Sequence, residues 1–217
     1  MHPGDNCTNY VHPIAQWLPK LRLWLIFYGT NQARQTVFIK GVRDGNLDPD
    51  FYGTYMLQDG WYCREVGGIW REVSTSNREG VDSEIKNFAA ESGVKYKRYG
   101  NAIYDRWNAI EIKARKDIIK YVDSIKTSVT EYAPNILIST YACVKLWPVL
   151  TGELENVVKE GNPYKVWVDS NQSSGKTEKA QAHLINSHKG SDRENALDMF
   201  RIAMQNEIDF FNGGGKA

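Results

Sequence analysis

Residues 55–66 read YMLQDGWYCREV, and the spacing inside this stretch decides the fold class. Tyr55, Asp59, Tyr62 and Val66 stand four, three and four residues apart, which places them on one helical face. That face is otherwise apolar, so it belongs to a core. An aspartate within it requires a buried partner or a ligand, because an unpaired carboxylate out of water is strongly disfavoured.

Upstream, Asp48-Pro49 is a helix start: the aspartate caps orphan amides, and proline is tolerated at the first helical position. The helix carries Gly60 and Gly67-Gly68, each about 1 kcal/mol worse than alanine in a helix interior. Such glycines admit a close neighbour, either a backbone or a ligand. Before it, a helix is predicted from Asn31 to Val42, closing at the Asp44-Gly45 turn. Trp17, Leu18, Leu21, Trp24, Leu25 and Tyr28 predict another that stops at Gly29. Residues 1–13 read as a loose polar arm.

Downstream, helices are predicted over 81–91 and about 101–128. The second has Ile103, Trp107, Ile110, Ala114 and Ile118 on one side and basic residues on the other. An apolar helix surrounds Cys143, Asn162-Pro163 opens a helix with Tyr164 and Trp167, and the joint SNQSSGKTEK precedes a short one. The last helix is predicted from about Asp192 to Phe211, ahead of a flexible glycine tail at 213–217. No repeat and no strand alternation interrupts this pattern. The expectation is one all-α domain spanning 1–217, an antiparallel bundle of about seven or eight helices.

Composition narrows the function. Basic and acidic side chains number 27 and 26, a formal charge of +1, so no field exists to recruit nucleic acid or an anionic membrane. The most apolar stretch, residues 133–150, is interrupted by Lys145 and two prolines and is a poor bilayer span. Cys7, Cys63 and Cys143 lack the spacing of a zinc site or a disulfide framework. With no leader-like segment, reduced thiols and a cytoplasmic location are the expectation. His183 and His188 are five apart and without flanking carboxylates, so no metal or other cofactor is expected.

Two further stripes repeat the oddity at Asp59. Ala196, Phe200, Ala203, Glu207 and Phe210 share a face that holds a glutamate among phenylalanines, and Cys143 shares one with Ile136, Ser139, Leu146 and Leu150. Two acids and a thiol thus point inward from three helices, and bundle interiors are where helical proteins build ligand sites. A cysteine on an apolar helix is also commonly a small hydrophobe, and a lone acid commonly an edge residue. Spacing alone leaves both readings open. SSGKT at 173–177 echoes the end of a phosphate loop, but Ser170 stands where the first glycine is required.

Four segments carry a resemblance: FIKGVRDGNLDPDFYGTYMLQDGWYC at 38–63, YACVKLW at 141–147, NPYKVWVDSN at 162–171 and ALDMFRIAMQNEIDFF at 196–211. In order and approximate distance they resemble the TenA/thiaminase II family over nearly the whole chain; residues 71–125 match only in helical character. The resemblance implies a heme-oxygenase-like helical bundle, a homo-oligomer (dimer or tetramer), that hydrolyses aminopyrimidines and can cleave thiamine. It assigns Asp59 to the amino group and ring nitrogen of the pyrimidine, Cys143 to addition on the ring, and Glu207 to proton transfer. Tyr62 would line the ring pocket or steady the thiol. The chain departs from the family at Trp147 and Asn171, where tyrosines are usual, and at Ala142, where proline is usual. Trp147 and Asn171 are then expected to line an altered pocket. Two function classes follow: a carbon–nitrogen hydrolase with Cys143 as nucleophile, or a protein that binds a small heterocycle through Asp59 and Glu207 without using the thiol.

Overall fold

The computed structural model describes residues 29–187 and 193–213, and among them every regular element is helical. The expected arm, the stripe from Trp17 to Tyr28 and residues 214–217 lie outside the described residues.

Asp48 behaves as its sequence context predicts. Its Oδ1 accepts from the amides of Asp50 at 2.8 Å and Phe51 at 3.0 Å, opening a long helix, α3 (Pro49–Ser74). The predicted helix before it is split. α1 (Thr30–Arg34) stops at Thr36, whose Oγ1 accepts from Ile39 N at 3.4 Å and so starts α2 (Val37–Asp44) as a new helix. Gly45, at φ +68, then reverses the chain, as the Asp-Gly pair predicts.

α3 packs along α4 (Ser83–Arg106) more intimately than any other pair. The glycines explain the approach. A Cβ on Gly100 would lie 2.6 Å from the Gly60 carbonyl oxygen, and one on Gly67 would lie 3.2 Å from that of Gly93. The neighbour admitted is therefore another backbone. The expected break near residues 92–100 is absent, and the chain breaks instead after α4. Trp107 ends it, Asn108 takes φ 50, and Ile110 stands 96 % exposed in the connection to α5 (Lys116–Glu131). A stripe through Ile103, Trp107 and Ile110 looked continuous because its period was kept. Asparagine tolerates the left-handed conformation that stops a helix, and Gly53 leaves room for the Trp107 ring to fold back on α3.

The apolar stretch is likewise divided. A 3₁₀ turn at Ala133–Asn135 and a single turn, α6 (Ile136–Ser139), precede α7 (Tyr141–Glu155). The stripe joining Ser139 to Cys143 is thus broken at Thr140, and Ser139 bonds Ser128 Oγ (3.2 Å) instead of facing the thiol. α8 (Lys165–Ser170) starts later than Asn162-Pro163 predicts. Asn162 accepts from Tyr164 N at 2.8 Å and donates to the Val42 carbonyl at 2.8 Å, and the Tyr164 hydroxyl donates to the Leu47 carbonyl. Together these fasten the segment to the α2–α3 turn. α9 (Lys176–Ser187) and the closing α10 (Arg193–Gly213) complete the bundle, α10 running against α5, α6 and α7.

Candidate active site

Stacked and tilted aromatic rings join α3, α7 and α10. Tyr55 lies 3.8 Å from Phe38 and 4.5 Å from Phe210, centroid to centroid, and Trp147 packs 5.5 Å from Trp167. Below them a cleft of about 280 Å³ opens, suited to a small molecule. Asp59, Tyr62 and Cys63 enter it from α3, Cys143, Trp147 and Pro148 from α7, and Asn171 from the end of α8.

Asp59 is 2 % exposed. Its Oδ1 accepts from the Cys63 thiol at 3.8 Å, while Oδ2 has no hydrogen-bond partner among the described residues. Its pKa is raised from 3.8 to about 7, first by burial and also by the charge of Glu207, against the Tyr99 hydroxyl and the Cys63 thiol, which lower it. Tyr62 is equally buried, its ring 4.7 Å from that of Tyr121, and its hydroxyl is unpartnered among the described residues.

Glu207 stands one layer behind the wall. Both oxygens are engaged, Oε1 accepting from Tyr121 OH at 2.7 Å and Oε2 from the Trp147 indole at 2.9 Å. Burial pushes its pKa up, against the donors Trp147, Tyr121 and the Cys143 thiol. Trp147 borders the cleft as expected, and its indole N–H also donates to the acid. Cys143 is half-buried, exposed to the cleft from deep within the bundle. Burial raises its thiol well above the ordinary range, Glu207 and Asp59 raise it further, and the Tyr96 hydroxyl lowers it. The thiol is therefore held in its neutral form.

Asn171 reaches the rim, but its Nδ2 donates to the Trp167 carbonyl at 2.8 Å, closing α8. Pro148 supplies no N–H to the Val144 carbonyl, and both residues border the cleft. Four residues of α4 that sequence reasoning missed form a further wall: Ser92, Lys95, Tyr96 and Tyr99. Ser92, Tyr96 and Tyr99 are spaced four and three apart, the signal that singled out Asp59. The helix predicted over 81–91 ends before these three, whereas α4 runs on to Arg106. Among the described residues no group of three or more histidines, cysteines or acids could hold a metal ion. No described helix is long and apolar enough to cross a membrane.

This arrangement of helices is found in solved structures. A TenA family protein from Silicibacter sp. TM1040, described as a transcription regulator, superposes with a TM-score of 0.76 over 93 % of this chain and 97 % of that one, at 13 % identity. The chain has a TenA-like fold. A TenA homologue from P. horikoshii OT3 gives 0.74 over 91 % and 97 %, at 16 % identity. No protein-family model matches the sequence, and no curated protein does. The TenA-like bundle brings α3, α4, α7 and α8 to one cleft, with α10 behind it.

Proposed function

We propose that the protein is a TenA-like hydrolase that splits a carbon–nitrogen bond on a small aminopyrimidine related to thiamine. The observation that carries this reading is the unpartnered Oδ2 of Asp59, half-protonated near neutrality, in the same small cleft as a thiol coupled to Glu207. A carboxyl poised near neutral pH pairs with the amino group and adjacent ring nitrogen of a 4-aminopyrimidine, accepting from one and donating to or charging the other.

In this reading Cys143 passes its proton to Glu207 as sulfur adds to an electron-poor ring carbon. The exocyclic carbon–nitrogen bond then breaks, and the amine leaves with the proton from Glu207. Water adds to the carbon, its proton going to Glu207, and sulfur is expelled as the ring regains aromaticity, the thiolate taking that proton back from Glu207. The sum is amine plus water giving alcohol plus ammonia or a larger amine. Tyr121 and Trp147 hold the glutamate in line for each transfer. Assembly as a dimer or tetramer and a cytoplasmic setting belong to the same proposal.

Incubation with 4-amino-5-aminomethyl-2-methylpyrimidine and with thiamine, following release of the hydroxymethyl pyrimidine, tests it. Product formed in a Cys143-dependent way supports the hydrolase. A second reading, binding without turnover, is favoured by the strongly raised Cys143 thiol; saturable binding with no product would establish that one instead.

A further inference from the structure

The two ends of the cleft differ in chemistry. At the closed end Asp59 and Tyr62 are each 2 % exposed, and Oδ2 of the first and the hydroxyl of the second lack partners among the described residues, the mark of a wall shaped for a ligand. The open end lies between α4 and the joint leading into α9, elements that pack together. Lys95 comes to it from α4, Ser173 and Thr177 from the joint.

The joint is the SSGKT segment, unused so far. Gly175 turns the chain at φ +71, its amide donating to Ser173 Oγ at 3.1 Å. Thr177 is thereby set in the first turn of a helix of 12 residues, whose leading amides are directed back toward the joint. Glu178 stands in the first turn of α9 with Oε2 beside Gly175, and its charge is offset by Lys145. Glu178 accepts from Lys145 Nζ at 2.8 Å and from Tyr141 OH at 3.2 Å. Glu91 lies 3.5 Å from Lys95 Nζ, but both side chains are more than half exposed, at 72 % and 55 %, and such a pair yields readily to a ligand. Among the described residues the cleft wall carries one carboxylate, Asp59, and one cation, Lys95, at opposite degrees of burial.

The geometry points to a substrate with an anionic tail: the heterocycle sits on Asp59, and its substituent carries a phosphate or carboxylate out to Lys95, Thr177 and the leading amides of α9. This rests on the heterocycle reading above and names the substrate class within it. A cationic tail, such as a thiazolium, meets Lys95 and is disfavoured.

Calorimetric titration of the full chain with 4-amino-5-hydroxymethyl-2-methylpyrimidine, its phosphate monoester and its carboxymethyl ether tests this, in wild type, Lys95→Glu, Thr177→Ala and Asp59→Asn. An anionic probe binds about tenfold tighter than the alcohol, the gain expected of a charge-assisted contact, and the ratio falls as salt rises. Lys95→Glu abolishes the ratio and Thr177→Ala reduces it; the probe with the larger Lys95-dependent gain identifies the tail. Equal affinities, or a ratio that survives Lys95→Glu, overturn the inference. If the alcohol still binds and Asp59→Asn abolishes that binding, the heterocycle reading stands alone. If no probe binds wild type, both readings fall.

Discussion

Asp59 is unfavourable for the fold when charged, and that sets its pH behaviour. Its pKa is raised from 3.8 to about 7, so the folded chain holds a proton that the unfolded chain releases. The associated stability is fully present below pH 4 and is lost as pH rises through about 7, amounting to on the order of 4 kcal/mol. Asp59→Asn removes the titrating group. Urea melts are therefore expected to show the variant more stable than wild type at pH 8, with little difference at pH 4, while ligand binding is lost. At Glu207, Trp147→Phe keeps a ring but removes the donor to Oε2. With one fewer hydrogen bond to the charged form, the glutamate pKa rises further, and the acidic limb of the kcat profile moves to higher pH. An unchanged limb would separate Trp147 from the proton transfer. At Cys143, substitution by alanine removes the nucleophile from a half-buried position: far-UV circular dichroism stays as in wild type while turnover falls by ~10³-fold or more.

Among the elements, α3 and α4 depend on glycine more than on hydrophobic bulk. Gly100→Ala brings a methyl to 2.6 Å from the Gly60 carbonyl, so the helices must separate. Overpacking of this kind destabilises by about 2 kcal/mol, more than the helix-propensity gain offsets, and the urea midpoint falls accordingly. Because this seam carries Asp59 on one helix and Tyr96 and Tyr99 on the other, Gly100→Ala also weakens heterocycle binding. The sequence showed that α3 contained glycines needing a neighbour, and the Asp48 cap was read correctly from two residues. It did not show the break at Asn108, since a side chain that permits the left-handed conformation does not compel it. Nor did it show the breaks at Thr36 and Thr140, where local hydroxyl and backbone bonds end helices whose apolar period runs on.

For the whole molecule, occupancy of the cleft is the property to measure. A ligand seated between Asp59 and Cys143 stabilises the folded state by mass action and raises the melting temperature with concentration. It also covers the thiol. Alkylation of Cys143 by iodoacetamide, followed by peptide mass spectrometry, is expected to slow in proportion to saturation, with no such protection in Asp59→Asn. Cys63 also borders the cleft beside Asp59, so any labelling of it is expected to slow with occupancy as well.

Periodicity in the chain determined that it is helical and that Asp59, Cys143 and Glu207 sit on inward faces, because a 3.6-residue repeat is a local property that every turn of the chain reports. The tertiary structure alone decided that Trp147 grips Glu207, that Asn171 closes a helix, and that α4 contributes a wall and a lysine to the cleft. Those facts depend on how far helices approach and at what rotation, and glycine seams and broken turns fix that over distances sequence spacing does not encode.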